Sequence, residues 1–471
     1  MKRLQLTLIV LIILLTSGLV IAISRFGKIG PISANHTPST IESTEHQIPE
    51  AVKLALEKAA PTNPAQQLRR FPFPYDAMLA ISSDIDLTTL EEFEAYHRFL
   101  NTKEVTPAGP GLGLDIGDSA WLYIASDYPE KIDQEGHSIE YSMSFFQGLA
   151  PSLKNADKIS HYFKVGWIDS LHTFGDFSRN DRRILFTRDL AIAAWKAMNQ
   201  RGFKPKVWIN HGSETNVQNF GAYNPKRPFF NYQAGDDPKS RFYHTDLTLG
   251  NGIRYVWNSI GMNQFSYDDP LFPLKLRDGQ QVWGFYRYTH EIVKGKYQWT
   301  WETHELPHQL TNQRLQQLVQ ERKYSIVTQH LGKGNEGFPF NPTDMQTLRL
   351  LKSYQDEGKI LVARTVRLLD FARTWKYVRY AMASVDGKTY INIRAIEDPV
   401  LGSTTPSLDE IRGLTFYVDD PDHTRLFLNL TPIPENEIQR NGADKEGKKS
   451  IGVRWFQPDF TDYTKTQRNS V

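Results

Sequence analysis

Four groups of polar side chains in this chain have the residue types and the spacing to carry chemistry. The first closes the apolar stretch 79–86, which ends in two carboxylates, Asp84 and Asp86, two residues apart. On an extended strand such a pair shares one face, so its repulsion is relieved only by a proton, a cation or a basic neighbour. The pair therefore indicates an acid–base site or a metal site. Capping of the following helix by Asp86, Thr88 or Thr89 is the structural alternative.

Imidazoles dominate the other three groups. His172 and Asp176 are spaced i and i+4, which places two ligands on one side of a helical turn. His211 and His330 each follow an apolar run that is predicted to be a strand. One histidine at a strand end is commonly structural, but three of them together with a carboxylate pair favour one shared site. The chain has no cysteine, so a transition metal here is held by His, Asp or Glu.

Alternating strand-like and helix-like runs position these residues. The predicted strands cover 77–82, 120–125, 165–169, 206–210, 253–257, 324–329 and 359–363. The predicted helices between them cover 89–100, 156–163, 181–201, 306–321 and 344–357. This alternation predicts a parallel sheet covered by helices, in which active sites lie at the carboxyl ends of the strands. Seven strands favour a closed or nearly closed β/α barrel, and an open doubly wound sheet is the alternative.

The composition fits a folded protein of several domains. A length of 471 residues predicts two or three domains. The 55 Lys and Arg residues against 53 Asp and Glu residues give a net charge of +2, which argues against a nucleic-acid partner. The absence of cysteine excludes disulfides, thiolate metal sites and cysteine nucleophiles.

The two ends of the chain differ from its middle. A basic start precedes an apolar run over 4–23 that is long enough to span a bilayer, and a cleavable signal peptide is the alternative. We predict a transmembrane signal anchor at 1–24, a stalk at 25–70, and folded domains outside the cytoplasm, in the periplasm or the extracellular space. Strands without intervening helices predict a C-terminal antiparallel β-sandwich at 377–471, which leaves 71–376 for the barrel.

The order of these motifs resembles that of the polysaccharide deacetylase family, metal-dependent carbohydrate esterases with a (β/α)7 barrel. Ser-Ser-Asp-Ile-Asp at 82–86 is similar to the family's Thr-Phe-Asp-Asp-Gly, and His-Thr-Phe-Gly-Asp at 172–176 to its His-Ser/Thr-x-x-His. Thr-Gln-His-Leu at 328–331 is similar to its late histidine motif. The usual Arg-Pro-Pro-Tyr motif stands here as Ile-Asn-His-Gly at 209–212. The resemblance covers roughly 72–375.

The resemblance implies a role for each residue. Asp84 would be the general base and His330 the general acid. Three residues would bind a divalent metal, zinc or another ion: Asp86, His172 and Asp176. His211 would be an additional ligand or an oxyanion donor. The metal would polarise the acetyl carbonyl of the substrate.

Four more residues are predicted to bind substrate, because they lie at strand ends or in the Asn- and Tyr-rich region that follows: Asn210, Asn219, His244 and Trp257. The predicted function is that of a membrane-anchored, extracytoplasmic polysaccharide deacetylase acting on an envelope or capsular glycan. Two alternatives stay open. One is a non-catalytic glycan-binding module on the same barrel, and the other is a glycoside hydrolase that uses the same carboxylates.

Overall fold

The computed structural model describes residues 48–60, 67–124, 141–177, 183–212, 214–222, 232–258, 263–332 and 338–465. These residues belong to one compact unit. The predicted anchor at 1–24 lies outside them, as does most of the predicted stalk. Within the described part of the chain, every helix is too short or too polar to cross a bilayer.

The described residues form nine α-helices and 23 strands, numbered here in chain order. Helices α1 to α9 are Glu50–Lys58, Leu90–Asn101, Ala156–Val165, Arg188–Arg201, Thr245–Gly250, Leu306–Gln309, Asn312–Glu321, Pro342–Asp356 and Thr365–Tyr377. Strands β1 to β12 are Ala77–Ser83, Val105–Thr106, Gly109–Pro110, Gly117–Ala120, Tyr123–Ile124, Ile168–Leu171, Gly175–Asp176, Val207–Ile209, Tyr255–Trp257, Leu271–Lys275, Gln281–Phe285 and His290–Val293. Strands β13 to β23 are Lys296–Trp299, Tyr324–Gln329, Ile360–Val362, Val378–Val385, Lys388–Asp398, Gly402–Thr404, Thr415–Tyr417, Thr424–Leu428, Thr431–Pro432, Ile438–Asn441 and Ser450–Val453.

A nine-stranded sheet forms the centre of the molecule. Its order is β10-β11-β9-β8-β6-β4-β1-β14, and β15 also pairs with β1. All of these pairs are parallel except β10 with β11. Strands β1 and β14 are buried along their whole length, because a parallel sheet is covered on both faces. The carboxyl ends of the parallel strands therefore share one edge.

The two ends of this sheet approach each other between β11 and β14. Single bridges join Tyr288 to Val327 and Tyr267 to Tyr324 at this gap. The backbone N–H of Tyr288 donates to the carbonyl of Ile326 at 2.8 Å. Among the described residues the strand ladders themselves do not close into a barrel, so the (β/α)7 barrel stays a prediction.

Two smaller sheets follow α9. One has the order β16-β17-β20-β21 with β18 beside β17, and the other has the order β19-β23-β22. The prediction of purely antiparallel pairing is wrong at β17 and β20, which are parallel. The physical reason is that the chain crosses to the other sheet as β19 before it returns as β20, and such a crossover connects parallel strands.

Part of the predicted stalk packs against this C-terminal unit. Val52 and Leu56 lie one helical turn apart on α1, and both are buried. Helix α1 packs on β16 and β17, and Arg394 of β17 donates to the backbone carbonyl of Leu56. Residues 50–58 are therefore part of the folded body, although the sequence predicted a stalk over 25–70.

A buried carboxylate joins the central sheet to the C-terminal unit. Asp398 at the end of β17 accepts hydrogen bonds from Trp283 Nε1 of β11 at 3.0 Å and from Arg373 Nη1 of α9 at 3.1 Å. One apolar cluster also runs from Ile326 in the central sheet to Ile391 in the C-terminal sheet. The boundary near residue 376 therefore lies inside a packed core.

Candidate metal centre

Four parallel strands bring the predicted site residues to one edge of the sheet. Asp84 and Asp86 follow β1, His172 follows β6, His211 lies two residues beyond β8, and His330 follows β14. The side chain of Asp86 is not used to cap the helix that follows β1, so it can take part in the site. Thr89, and not Asp86, caps α2, since its hydroxyl accepts a hydrogen bond from the N–H of Glu92.

Asp86 lies at the centre of the cluster. Its Oδ1 is 2.8 Å from His211 Nε2, and its Oδ2 is 3.1 Å from His172 Nε2 and 3.5 Å from His330 Nε2. Within the described residues, two sets of three ligand atoms lie within 4.8 Å of one another. One set is Asp86, His172 and His211, and the other is Asp84, Asp86 and His330. Asp86 belongs to both.

The chemistry of these atoms fits a divalent cation. Burial raises the pKa of Asp86, but His172, His211 and His330 together hold it well below its usual range. Among the described residues, Asp84 Oδ1 and His172 Nδ1 are buried without a hydrogen-bond partner, and Asp86 Oδ2 and His172 Nε2 face each other at 3.1 Å outside good hydrogen-bond geometry. Buried polar atoms are nearly always hydrogen-bonded, so these atoms need another partner. Carboxylate oxygen and imidazole nitrogen are ligands of zinc and of other divalent metals.

Asp84 has different surroundings from Asp86. Arg287 Nη2 donates to Asp84 Oδ2 at 2.8 Å and to the carbonyl of Ser82 at 3.1 Å. The guanidinium is buried and lies 4.7 Å from the centre of the Trp257 ring. Sequence reasoning missed Arg287. The signal was its position shortly after β11, the same strand-end position that identified the histidines.

Trp121 fixes the plane of His172. The two rings are stacked, with centroids 5.5 Å apart and planes 20° apart. His211 meets the edges of both rings. Trp121 was also missed, although it directly follows β4 and so shares the strand-end position. The stack holds an imidazole whose Nε2 lies 3.1 Å from Asp86 Oδ2.

The contacts of His211 make its Nε2 a hydrogen-bond donor. Asn216 Nδ2 lies 2.8 Å from His211 Nδ1 and also donates to the backbone carbonyl of Gly212. Asn216 Oδ1 accepts from the N–H of Phe177. These backbone partners fix the orientation of the amide, so Nδ1 of a neutral His211 accepts and Nε2 carries the hydrogen. Burial lowers the pKa of His211, but Asp86 outweighs it and raises the pKa to about 9; the charged form also carries a hydrogen at Nε2.

Asp176 lies outside both sets. The expected helical turn is absent from 172–176, because Thr173 has φ +57° and Gly175–Asp176 forms β7, which pairs with β5. Without a helical turn, the i and i+4 spacing is no reason for Asp176 and His172 to lie side by side; the Asp176 carboxylate acts on His211, whose pKa it helps to raise. The structure places His211 in that group instead.

Three of the four predicted substrate-binding residues have hydrogen bonds within the scaffold. Asn210 Oδ1 accepts from Trp208 Nε1 at 2.8 Å, and its Nδ2 donates to the carbonyl of Phe220 at 2.7 Å. Asn219 holds the backbone of His211 on both its N–H and its carbonyl. These two side chains therefore stabilise the loop that carries His211.

His244 is fully buried in an aromatic cluster. Its Nδ1 lies 2.8 Å from Thr248 Oγ1 and its Nε2 lies 2.7 Å from the carbonyl of Gln218. Burial lowers the pKa of His244 to about 4. Trp257 contacts the metal centre through Arg287, whose guanidinium lies over its ring.

Comparison with known proteins adds no relative to these observations. No protein-family model matches the chain, and no curated protein matches it. The functional argument therefore rests on the geometry of the site.

Proposed function

We propose that this chain is a metal-dependent hydrolase of the deacetylase type that removes acetyl groups from a glycan. The observation that carries the proposal is the meeting of four side chains from four strand ends around a fifth, the carboxylate of Asp86. Two carboxylates and three imidazoles in one partly buried cluster provide metal ligands, a base and an acid together. The membrane anchor, the position outside the cytoplasm and the envelope or capsular glycan are parts of the same proposal.

Asp86 and His172 are the ligands that we assign first. Asp86 belongs to both sets of ligand atoms, and among the described residues His172 Nδ1 is buried without a hydrogen-bond partner while Nε2 lies 3.1 Å from Asp86 Oδ2. His211 donates through Nε2 to Asp86 Oδ1, which orients the carboxylate and leaves Oδ2 towards the cation. A bound zinc or similar ion would supply Lewis acidity at the acetyl carbonyl.

The remaining two side chains supply acid and base. Arg287 Nη2 binds Asp84 Oδ2 at 2.8 Å and so fixes the carboxylate, whose Oδ1 can accept the proton of the attacking water. His330 Nε2 lies 4.0 Å from Asp84 Oδ2 and 3.5 Å from Asp86 Oδ2. It is placed to donate a proton to the leaving hydroxyl or amine. The carbonyl carbon gains the oxygen of water, and the carbon–oxygen or carbon–nitrogen bond to the sugar breaks.

Product analysis tests this proposal. Purified full-length chain with added zinc is incubated with O-acetylated xylan and with N-acetylglucosamine oligomers, and acetate and reducing ends are both measured. We expect acetate without new reducing ends, and loss of acetate release in Asp84→Asn. Asp176→Asn serves as the matched control, since it removes a nearby carboxylate that lies outside both ligand sets.

Two other results would contradict this proposal and assign a different function. Reducing ends without acetate would assign a glycoside hydrolase. Binding of these glycans with neither product, unchanged in Asp84→Asn, would assign a binding module.

A further inference from the structure

Strands β12 and β13 form an exposed hairpin next to the candidate metal centre. Every residue from 292 to 299 is exposed. Lys294 and Gly295 form the two-residue turn with φ of +50° and +75°. Two positive φ values at the tip are the mark of a type I′ turn, whose twist matches that of the strands. The tip is therefore a pre-formed projection.

One face of the hairpin is apolar. The antiparallel register places Ile292 opposite Tyr297 and His290 opposite Trp299, so these four side chains share a face. Ile292 is 68% exposed, Tyr297 is 67% exposed and Trp299 is 51% exposed. Val293 at the turn is exposed as well. Large apolar side chains that cluster in solvent indicate an interaction surface.

The aromatic rings of this face form a column that begins at the metal centre. Trp301 stacks on His330 with centroids 5.7 Å apart, Trp299 on Trp301 at 4.5 Å, and Tyr297 on Trp299 at 6.1 Å. The rings are within 26° of parallel, so each turns its face to the next ring. A sugar ring that stacks on an aromatic residue needs a free face. Trp299 and Trp301 each stack between two rings and so offer their edges, which disfavours a row of sugar rings as the partner of this column.

The charges around this face favour a lipid surface. Lys294 and Lys296 are exposed at the tip. The opposite face of the hairpin is polar, since Glu291 and Gln298 line a groove with Arg314. Tyrosine, tryptophan and aliphatic side chains next to lysines are the composition of segments that lie in the interface of anionic membranes.

We infer that this hairpin docks the folded body onto an anionic bilayer. Ile292, Tyr297 and Trp299 enter the headgroup boundary, and Lys294 and Lys296 pair with lipid phosphates. The four residue steps from Tyr297 to Trp301 correspond to about 14 Å of extended strand, so the metal centre lies close above the interface. The inference stands on the hairpin alone and does not depend on the reaction at the metal centre.

A single label tests the docking. The chain contains no cysteine, so Ile292→Cys in the full-length protein gives one site for an environment-sensitive fluorophore. The labelled protein is reconstituted with vesicles of phosphatidylcholine and phosphatidylglycerol. We expect a blue-shifted emission that a lipid-borne quencher suppresses. The same label at Leu153→Cys, which is 53% exposed, is the control and should keep its aqueous emission.

A double variant tests whether docking requires the positive charges of Lys294 and Lys296. Lys294→Asn with Lys296→Gln keeps a turn residue that tolerates positive φ and removes both charges. We expect docking to weaken about 30-fold, which is about fivefold for each lysine. Aqueous emission at position 292 on these vesicles would overturn the inference. So would a response to soluble polysaccharide in the absence of lipid, or an equal response of both labels.

Discussion

Arg287 Nη2 donates to Asp84 Oδ2 at 2.8 Å, and both side chains are buried. Asp86, two residues further on, faces three imidazoles. The two carboxylates at this strand end therefore have different partners. Asp84 has the guanidinium of Arg287, and Asp86 has three imidazoles that could also bind a metal. Different surroundings of this kind separate the roles of paired carboxylates. They are the reason for assigning Asp84 as base and Asp86 as ligand.

Loss of the central carboxylate should remove the metal. In Asp86→Asn we expect the affinity for zinc to fall by more than about 100-fold, because the residue common to both ligand sets is gone. Isothermal titration and metal analysis of the dialysed protein measure this. Asp176→Asn should keep the wild-type stoichiometry. Equal loss in both variants would contradict the assignment.

His211 should prove to be an orienting donor. A glutamine at position 211 still offers an N–H to Asp86 but has no imidazole nitrogen for a metal. In His211→Gln we expect zinc affinity to fall by about 10- to 100-fold, the cost of an outer-shell partner, with one zinc still bound at saturation. His172→Gln should bind no stoichiometric zinc. A His211→Gln protein that has lost zinc completely would make His211 a ligand.

The pair of Arg287 and Asp84 should matter for folding. Arg287→Met leaves a buried carboxylate without its cation, which costs about 3–5 kcal/mol of unfolding free energy. Asp84→Asn added to this variant should recover part of that loss, since the remaining charge is removed. Urea denaturation of the four members of this cycle gives the coupling. Additive losses would show that the two side chains act independently.

His244 should make the protein less stable in mild acid. Burial lowers its pKa to about 4, and Asp236 and Asp246 oppose this without overcoming it. Between the unfolded value of about 6.5 and pH 4 the unfolded state binds a proton that the folded state does not, so stability falls as the pH falls through this window.

Substitution of His244 measures its contribution to the pH dependence of stability. In His244→Gln we expect the slope of unfolding free energy against pH to decrease between about pH 4 and 6.5. The decrease is up to about 1.4 kcal/mol per pH unit. Denaturation at several pH values measures it.

Asp398 should hold the C-terminal unit to the central sheet. Asp398→Ala leaves the guanidinium of Arg373 buried without its carboxylate and removes the acceptor of Trp283, so we expect a loss of about 3–5 kcal/mol. Asp409→Ala, whose side chain is 71% exposed beside Arg412, should cost at most about 1 kcal/mol. A comparable loss in both variants would contradict a special role for the buried pair.

The strand-end rule located most of the cluster from sequence. Apolar runs that end in Asp84, His172 or His330 coincide with the ends of β1, β6 and β14. This works because burial on both faces leaves a plain apolar signal in a parallel strand. The rule did not reach Arg287 and Trp121, because the strand before Arg287 was not predicted and Trp121 lay inside the predicted strand over 120–125.

Contacts between distant segments were not accessible from sequence. Asn210 and His244 form hydrogen bonds with the backbone carbonyls of Phe220 and Gln218. A backbone carbonyl is present at every residue, so the pattern of side chains does not predict which one is the acceptor. The i and i+4 spacing of Asp176 has meaning only in a helix, and the local backbone is a turn and a strand.

The ends of the helices could be predicted only in part from the sequence. The predicted helix over 306–321 is divided, because Thr311 caps α7 by accepting from the N–H of Arg314. The exposed hairpin of β12 and β13 was not predicted, since its aromatic residues resemble core residues until their exposure is known.

The stack of Trp121 on His172 has a practical consequence. An indole in face-to-face contact with an imidazole senses the charge on that ring, because a proton or a cation there withdraws electrons from the excited state. The emission of this tryptophan thus provides an intrinsic optical signal of occupancy. The fluorescence of Trp121 can therefore be used to follow the binding of a proton or a metal ion at the proposed metal centre.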